Sequence, residues 1–430
     1  MKNTNNISTC CNDNCCDECI YVTTVNVSCY RTTLPVGESC FVRATPKPDN
    51  ATNQKVTWSS SDNAIATVNP DTGLVTAQSV GTVVITATAV DRSIVSGTFA
   101  MEVVPYVYVD SVTINSKIMV MCPCGRERVD VLMLPANATR GKIYWQSSNE
   151  CVATVDPLGV VKANKEGETV ITATTIDKDG SKKEDRCRII ITDNDTVHSI
   201  VNNIKNCDNS IISSSKKDIC IATTIEMLSN GYELSFIAGM LANIMFEGNI
   251  GKFESSNYIS NPKPDYLNYM DTAYNGVNFY LNNYSGKTIM QVNVQEVWNM
   301  LNDLKTQSNS TWRIGDSRVG FGLGSIQWTF GRAYSLACLY KNQVGQGTTI
   351  TTVQAMSAEV TMIMNELNST AYSGIIVDWR TDCVNNVDSL TAANLSGSML
   401  CYRYLKPKNT AAQASQRAAR AEAIYEAIKI

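Results

Sequence analysis

Two hydrophobic periods divide the chain. Up to about residue 192, apolar and polar residues alternate in short runs rich in β-branched side chains, as in Val83-Val84-Ile85-Thr86-Ala87-Thr88. A period of two puts alternate side chains on one face, so these runs predict half-buried strands. Turn signals such as Asn69-Pro70-Asp71-Thr72-Gly73 separate them. The whole pattern occurs twice. Lys55-Val56-Thr57-Trp58-Ser59-Ser60 is echoed by Lys142-Ile143-Tyr144-Trp145-Gln146-Ser147, and Gly81-Thr82-Val83-Val84-Ile85-Thr86-Ala87-Thr88 by Gly167-Glu168-Thr169-Val170-Ile171-Thr172-Ala173-Thr174. Short strands at 8–12-residue intervals, repeated after about 87 residues, predict two β-sandwiches, at 20–105 and 106–192, with Trp58 and Trp145 in their cores.

Beyond residue 193 the period moves toward 3.6. Helices are expected at 219–230, stopped by Asn230-Gly231, and at 235–247, with Ser235 as N-cap. Others follow at 294–304, 332–341, 352–367, 390–404 and 411–430. The Asp-, Asn- and Ser-rich stretch 193–217 is expected to be a linker, 218–430 a mostly α domain, and 1–19 a Cys-rich tail. The fold class expected is therefore multidomain: two all-β sandwiches followed by a mostly α domain.

Charge narrows the partners. A net charge of −4, with 18 basic and 18 acidic side chains in residues 199–430, gives no bulk positive field, so no nucleic-acid partner is expected. No run of about 18 apolar residues occurs, so no membrane span is expected. Met1-Lys2-Asn3-Thr4-Asn5-Asn6 is not followed by an apolar stretch, so no secretory signal is expected. Release by lysis, within a phage-like particle or by a dedicated exporter is expected instead. Cys10, Cys11, Cys15, Cys16 and Cys19 crowd the first 19 residues; they read as a thiolate cluster, an inter-chain cross-linking tail, or a reduced tail without function. No metal centre and no cofactor are expected. His198 is the single histidine; it falls in the expected linker with no motif cysteine, which argues against a Cys/His peptidase.

Two features carry chemistry. Within 235–247, Ile237, Leu241 and Ile244 mark an apolar stripe, and Glu247 projects from its edge. Partial desolvation there would raise a carboxyl pKa, which suits a proton donor to a glycosidic oxygen; the alternative is a helix-end Glu paired with a Lys or Arg. Second, Gly320-Phe321-Gly322-Leu323-Gly324-Ser325-Ile326-Gln327-Trp328-Thr329 offers close backbone approach, an amide and an aromatic ring, which suits a sugar. The alternative is a tight turn into the next helix. Gln327 stands where a dinucleotide fingerprint needs glycine.

The β repeats resemble the bacterial Ig-like group 2 domain: Trp58-Ser59-Ser60-Ser61, Ile65-Ala66-Thr67-Val68, Gly73-Leu74-Val75-Thr76-Ala77, then the Gly81 run. That resemblance implies a spacer or attachment module. The helical half resembles the phage tail-type lysozyme family, itself similar to goose-type lysozymes and lytic transglycosylases. Asn243-Ile244-Met245-Phe246-Glu247, then Gly322-Leu323-Gly324-Ser325-Ile326-Gln327-Trp328, Gly331-Arg332 and Arg417-Ala418-Ala419-Arg420-Ala421 carry it, over about 210 residues. Ala242 stands where a glycine is usual and Gly248 where a serine is frequent. The segment Phe253-Glu254-Ser255-Ser256 with Tyr258-Ile259-Ser260-Asn261-Pro262 resembles versions in clostridial phages and phage-tail-like bacteriocins.

The resemblance implies that Glu247 is the general acid, with Glu254 its rival. For a second carboxylate Glu254, Asp265, Asp271, Asp303 and Asp316 are available, and Asp271 is the preferred candidate. Gly322, Gln327, Trp328 and Tyr258 are the expected glycan contacts. The implied activity is a glycoside hydrolase acting on peptidoglycan, between N-acetylmuramic acid and N-acetylglucosamine, with lytic transglycosylase chemistry open. The alternative is a non-catalytic wall-binding or structural protein of a phage tail, bacteriocin particle or spore layer, self-associating through the Cys-rich tail.

Overall fold

The computed structural model describes residues 19–139, 141–253, 283–306, 323–328, 330–383, 386–405 and 410–430. Strands occupy the described chain up to Ile191 and helices the remainder, as the change of period predicts. The chain divides into two compact units. One gathers the residues up to Ser111 with Met133–Lys142 and Ile176–Lys183; the other gathers Val112–Leu132, Ile143–Thr175 and Glu184–Ile430.

In the first unit, Val56–Ser60, Gly81–Ala89, Ser96–Val104 and Thr33–Pro35 form a four-stranded sheet, with Thr33–Pro35 parallel to Ser96–Val104. Ser39–Phe41, Leu74–Ala77 and Ala66–Val68 form a three-stranded one. Strand Gly81–Ala89 shows the period-two logic directly: Val83, Ile85, Ala87 and Ala89 are buried, and the residues between them are not. Leu34, Trp58 and Ile85 from one sheet share a core with Cys40, Val75 and Ala77 from the other, so the two sheets are the layers of a sandwich. Trp58 is buried as expected, whereas Trp145 is only half-buried.

In the second unit, strand Ile118–Met121 runs parallel to residues 188–191, and Tyr144–Ser147 pairs antiparallel with residues 171–174. Nine α-helices follow among the described residues. They are α1 (Asp195–Asn206), α2 (Lys217–Ser229), α3 (Leu234–Phe246), α4 (Val294–Thr306), α5 (Phe330–Val344), α6 (Thr352–Leu367), α7 (Gly374–Asp382), α8 (Leu390–Leu400) and α9 (Thr410–Ile428). Helix α7 has no counterpart among the sequence expectations. The helix expected over 390–404 stops at Leu400 and passes into a π-helical turn, Cys401–Leu405.

The expected linker is a correction. Within 193–217, α1 spans twelve residues, capped by Asn194, whose side chain accepts from the Val197 amide. Its Ile200, Val201 and Ile204 are buried. They join Ile118 and Val120 of the β region and residues of α2 in one hydrophobic core. Asp218, in the first turn of α2, accepts from the Lys117 amide (2.9 Å) and the Ser116 hydroxyl (3.0 Å). Burial pushes its carboxyl up from the usual range.

Helices α3, α8 and α9 pack closely because small residues line their contacts. A Cβ on Gly239 would lie 2.7 Å from the Gly397 amide nitrogen, and one on Gly397 would lie 2.7 Å from the Arg417 carbonyl. These neighbours are backbone, so they cannot swing aside. Gly239→Ala is expected to cost about 1–3 kcal/mol through overpacking, read as a lower denaturation midpoint of the full chain.

Candidate active site

Helix α3 is almost wholly buried, from Ser235 to Ile244. Glu233, not Ser235, occupies its N-cap position. Ser235 lies inside the first turn and donates its hydroxyl hydrogen to the Val387 carbonyl, which corrects the expected cap. At the other end Glu247 is the C-cap residue in extended conformation, where the chain leaves the helix. The last carbonyls of α3 lack intrahelical partners. Buried Lys216 supplies them, donating from Nζ to the carbonyls of Ile244 (2.5 Å), Met245 (3.2 Å) and Glu247 (2.8 Å). Desolvation brings the Lys216 ammonium down to about 8.

The Glu247 side chain, 17% exposed, accepts at Oε1 from Arg417 Nη2 (2.6 Å). Arg417 comes from α9 and is itself buried. Its other terminal nitrogen donates to Asn243 Oδ1 (2.9 Å), one turn before Glu247 on α3, and Nη2 also donates to Gln413 Oε1 (2.9 Å). Asn243 in turn donates to the carbonyls of Gly239 and Gly397. The asparagine therefore aims the guanidinium at the carboxylate. Glu247 is half of an ion pair, the alternative that the periodicity left open. Phe246, just before it, is 41% exposed, with the Arg417 and Arg420 guanidiniums 5.5 and 5.9 Å from its ring centre.

The glycine-rich turn lies directly against this helix end. A Cβ on Gly248 would meet Gln327 Nε2 at 2.2 Å and the Gly324 carbonyl at 2.6 Å. A serine there would displace the turn, which accounts for glycine at that position. The Gly324 amide donates to the Lys252 carbonyl (2.9 Å), and Gln327 Nε2 donates to the carbonyls of Lys252 (3.1 Å) and Gly324 (2.8 Å). Gln327 adopts φ 54°, a left-handed conformation unusual for a side-chain-bearing residue.

Two buried carboxylates on α6 hold the turn from beneath. Glu359 accepts from the Ser325 amide (2.9 Å), the Gly251 amide (2.5 Å) and the Tyr340 hydroxyl (2.7 Å). Glu366 accepts from Trp328 Nε1 (2.8 Å), Arg332 Nε (2.6 Å) and the Tyr404 hydroxyl (2.6 Å). Burial raises the Glu359 carboxyl above its usual range. Trp328 is 0% exposed. It is therefore corrected from a sugar platform to a core residue: its ring has no free face, and its only polar hydrogen is engaged by Glu366. Gln327 lies beside Glu247's neighbour Gly248. Glu254, Tyr258, Asp271 and Gly322 lie outside the described residues, as do Asp265, Asp316 and the cysteines before Cys19.

His198 Nε2 donates to the Thr192 carbonyl (2.8 Å) and lies 3.4 Å from Cys122 Sγ. A nitrogen whose hydrogen points at a carbonyl has no lone pair for a thiol proton, so this pair lacks the base a cysteine peptidase needs.

Comparison with known proteins follows this division of the chain. Residues 21–99 and 108–185 match the family described as bacterial Ig-like domain (group 2), and residues 221–428 match the family described as phage tail lysozyme. The chain carries two bacterial Ig-like domains followed by a phage tail lysozyme domain. The residues around Glu247, the Gln327 turn and Arg417 all fall within that lysozyme domain. An uncharacterized protein of Clostridium acetobutylicum is 32% identical over 177 residues, 41% of this chain and 18% of that relative. An Ig-like virion protein of Serratia phage KSP90 is 29% identical over 177 residues, 41% of this chain and 67% of that protein. Among solved structures, domains 4 and 5 of the S-layer protein SbsC match with 16% identity and a TM-score of 0.22, over 40% of this chain and 99% of that one. The fibronectin(III)-like modules of Clostridium thermocellum CbhA match with 16% identity and a TM-score of 0.26, over 39% and 94%. Among the described residues, no helix is long and apolar enough to cross a membrane.

Lys216 gives the lysozyme domain a pH signature. Its ammonium titrates at about 8 in the folded chain, against 10.5 for the ordinary group. Between those values the unfolded chain binds more protons, so this group's contribution to stability rises with pH across the window and is lost as pH falls through 8. Lys216→Met is expected to flatten that rise, measured as denaturant midpoints on either side of the window.

Proposed function

We propose that the chain cleaves the glycan strand of peptidoglycan between N-acetylmuramic acid and N-acetylglucosamine, with Glu247 as proton donor. The observation that carries this reading is the half-buried Glu247 carboxyl, fixed by a buried arginine beside the Gln327 turn. Because Arg417 bonds Oε1, Oε2 is the oxygen left to carry a proton to the bridging glycosidic oxygen. As the glycosidic C–O bond breaks, its electrons stay with the departing sugar oxygen, which keeps the proton. The glutamate left behind is negative and already faces a guanidinium, a preorganised electrostatic partner. The oxocarbenium centre is then closed by water, giving a reducing sugar, or by the sugar's own 6-hydroxyl, giving a 1,6-anhydro end, and the proton released by the attacking hydroxyl returns to the Glu247 carboxylate. With Trp328 buried, exposed Phe246 is, among the described residues, an aromatic surface next to the acid for a sugar face.

Residues 20–105 and 106–192 would act as spacer or attachment modules, on a protein released by lysis, in a phage-like particle or by an exporter to act at the wall. A second reading, favoured by likeness to an Ig-like virion protein, is a wall-binding or structural particle protein without catalysis. Turbidity of purified cell walls separates the two, since a binder sediments with walls and leaves them intact.

Glu247→Gln keeps the acceptor for Arg417 but carries no transferable proton, so wall clearance is expected to fall at least about 100-fold with wall binding retained. Clearance at the wild-type rate removes Glu247 from the role. Phe246→Ala is expected to raise the half-saturating wall concentration roughly two- to tenfold, while the limiting rate changes little.

A further inference from the structure

We propose that Glu359 is a positioning residue of the lytic reaction: it latches the strand leaving Glu247 to the Gln327 turn, so that acid and turn hold one geometry. The inference rests on the lytic reading above. Three separate segments donate to this one carboxylate. Gly251, four residues after Glu247, gives its amide to Oε1 (2.5 Å); Ser325, within the turn, gives its amide to Oε2 (2.9 Å); and Tyr340 of α5 gives its hydroxyl to Oε1 (2.7 Å). The residue is 0% exposed.

Among the described residues, no second tie between the two segments uses a buried side chain in this way. The Gly324–Lys252 backbone bond and the Gln327 amide bonds join their outer edges. Glu359 binds both from the core side, through opposite oxygens of one rigid group. A carboxylate is the fitting acceptor, because all three partners are donors and an ionised carboxyl offers only lone pairs. An amide in its place would aim an N–H at an N–H. Catalysis tolerates little play between reacting groups, and a misplacement of about 1 Å can cost roughly 100-fold in rate. Release of this latch frees the Gly248–Gln327 contact to open while the fold and the exposed binding surface stay in place.

The test compares wild type, Glu359→Gln, Tyr340→Phe and Glu247→Gln as full chains, on purified walls over a range of wall concentrations. Glu359→Gln is expected to lower the limiting clearance rate roughly ten- to hundredfold with the half-saturating wall concentration unchanged. Tyr340→Phe, which removes one donor of three, is expected to lower the limiting rate by a few-fold in the same pattern. An active wild type with an equally active Glu359→Gln overturns the latch alone. A Glu359→Gln chain that weakens half-saturation and leaves the limiting rate alone also overturns it. If Glu359→Gln does not fold, the limiting rate of Tyr340→Phe decides, and wild-type speed there rejects the proposal. A wild type that clears no walls, like Glu247→Gln, overturns the lytic reading and the latch's part in it together.

Discussion

Two carboxylates buried on one face of a single helix organise the lysozyme domain. Glu359 and Glu366 lie seven residues apart on α6, which returns them to the same face after two turns. Between them they collect the Ser325 amide, the Gly251 amide, the Trp328 indole and the Arg332 guanidinium. The glycine-rich turn buries its Leu323, Ile326 and Trp328 side chains. Its shape is imposed from below, by acceptors that its amides and its tryptophan must reach.

The two carboxylates are compensated differently. Burying an ionised carboxylate costs several kcal/mol unless charge or hydrogen bonds answer it. Glu366 has a cation, Arg332, whose guanidinium also lies 4.8 Å from the Tyr404 ring centre. Glu359 is answered by convergent neutral donors, and burial still pushes its carboxyl upward. Glu247 follows the first pattern, with Arg417 and a backing asparagine. Around one helix end the domain thus has two Glu–Arg pairs and one carboxylate held by two amides and a tyrosine hydroxyl. The last joins the strand after Glu247 to the Gln327 turn.

Features that depend on neighbours in the chain were legible, and features that depend on distant partners were not. The β repeats announce themselves through alternation and turn residues, which act over a few positions. The place of Glu247 at the end of α3 follows from helical spacing for the same reason. Arg417 is 170 residues away from it, so the pairing could not be read from the α3 pattern. Glu359 and Glu366 carry no local signal, because nothing in the neighbouring residues says that a glutamate faces inward. The burial of Trp328 is not legible in its motif, which gives residue type and order but not exposure. Helix α1 within 193–217 is legible in its own residues. Its Asp, Asn and Ser residues suggested a linker, yet Val197, Ile200, Val201 and Ile204 repeat at helical intervals, and those are the side chains α1 turns to the core.

That helix also bears on what the Ig-like region does. A spacer that swings freely needs a polar, unpacked junction with the domain it carries. Strand Ile118–Met121 is instead buried along its whole length, and Ile118 and Val120 share a core with α1 and α2. The Lys117 amide and Ser116 hydroxyl end on Asp218, at the start of α2. Cutting the chain before α1 would strip apolar cover from Ile200, Val201 and Ile204 and leave Asp218 without its donors. The strand therefore contributes to the stability of the helical half as well as to its own sandwich. Any freedom of reach has to come from joints other than this one.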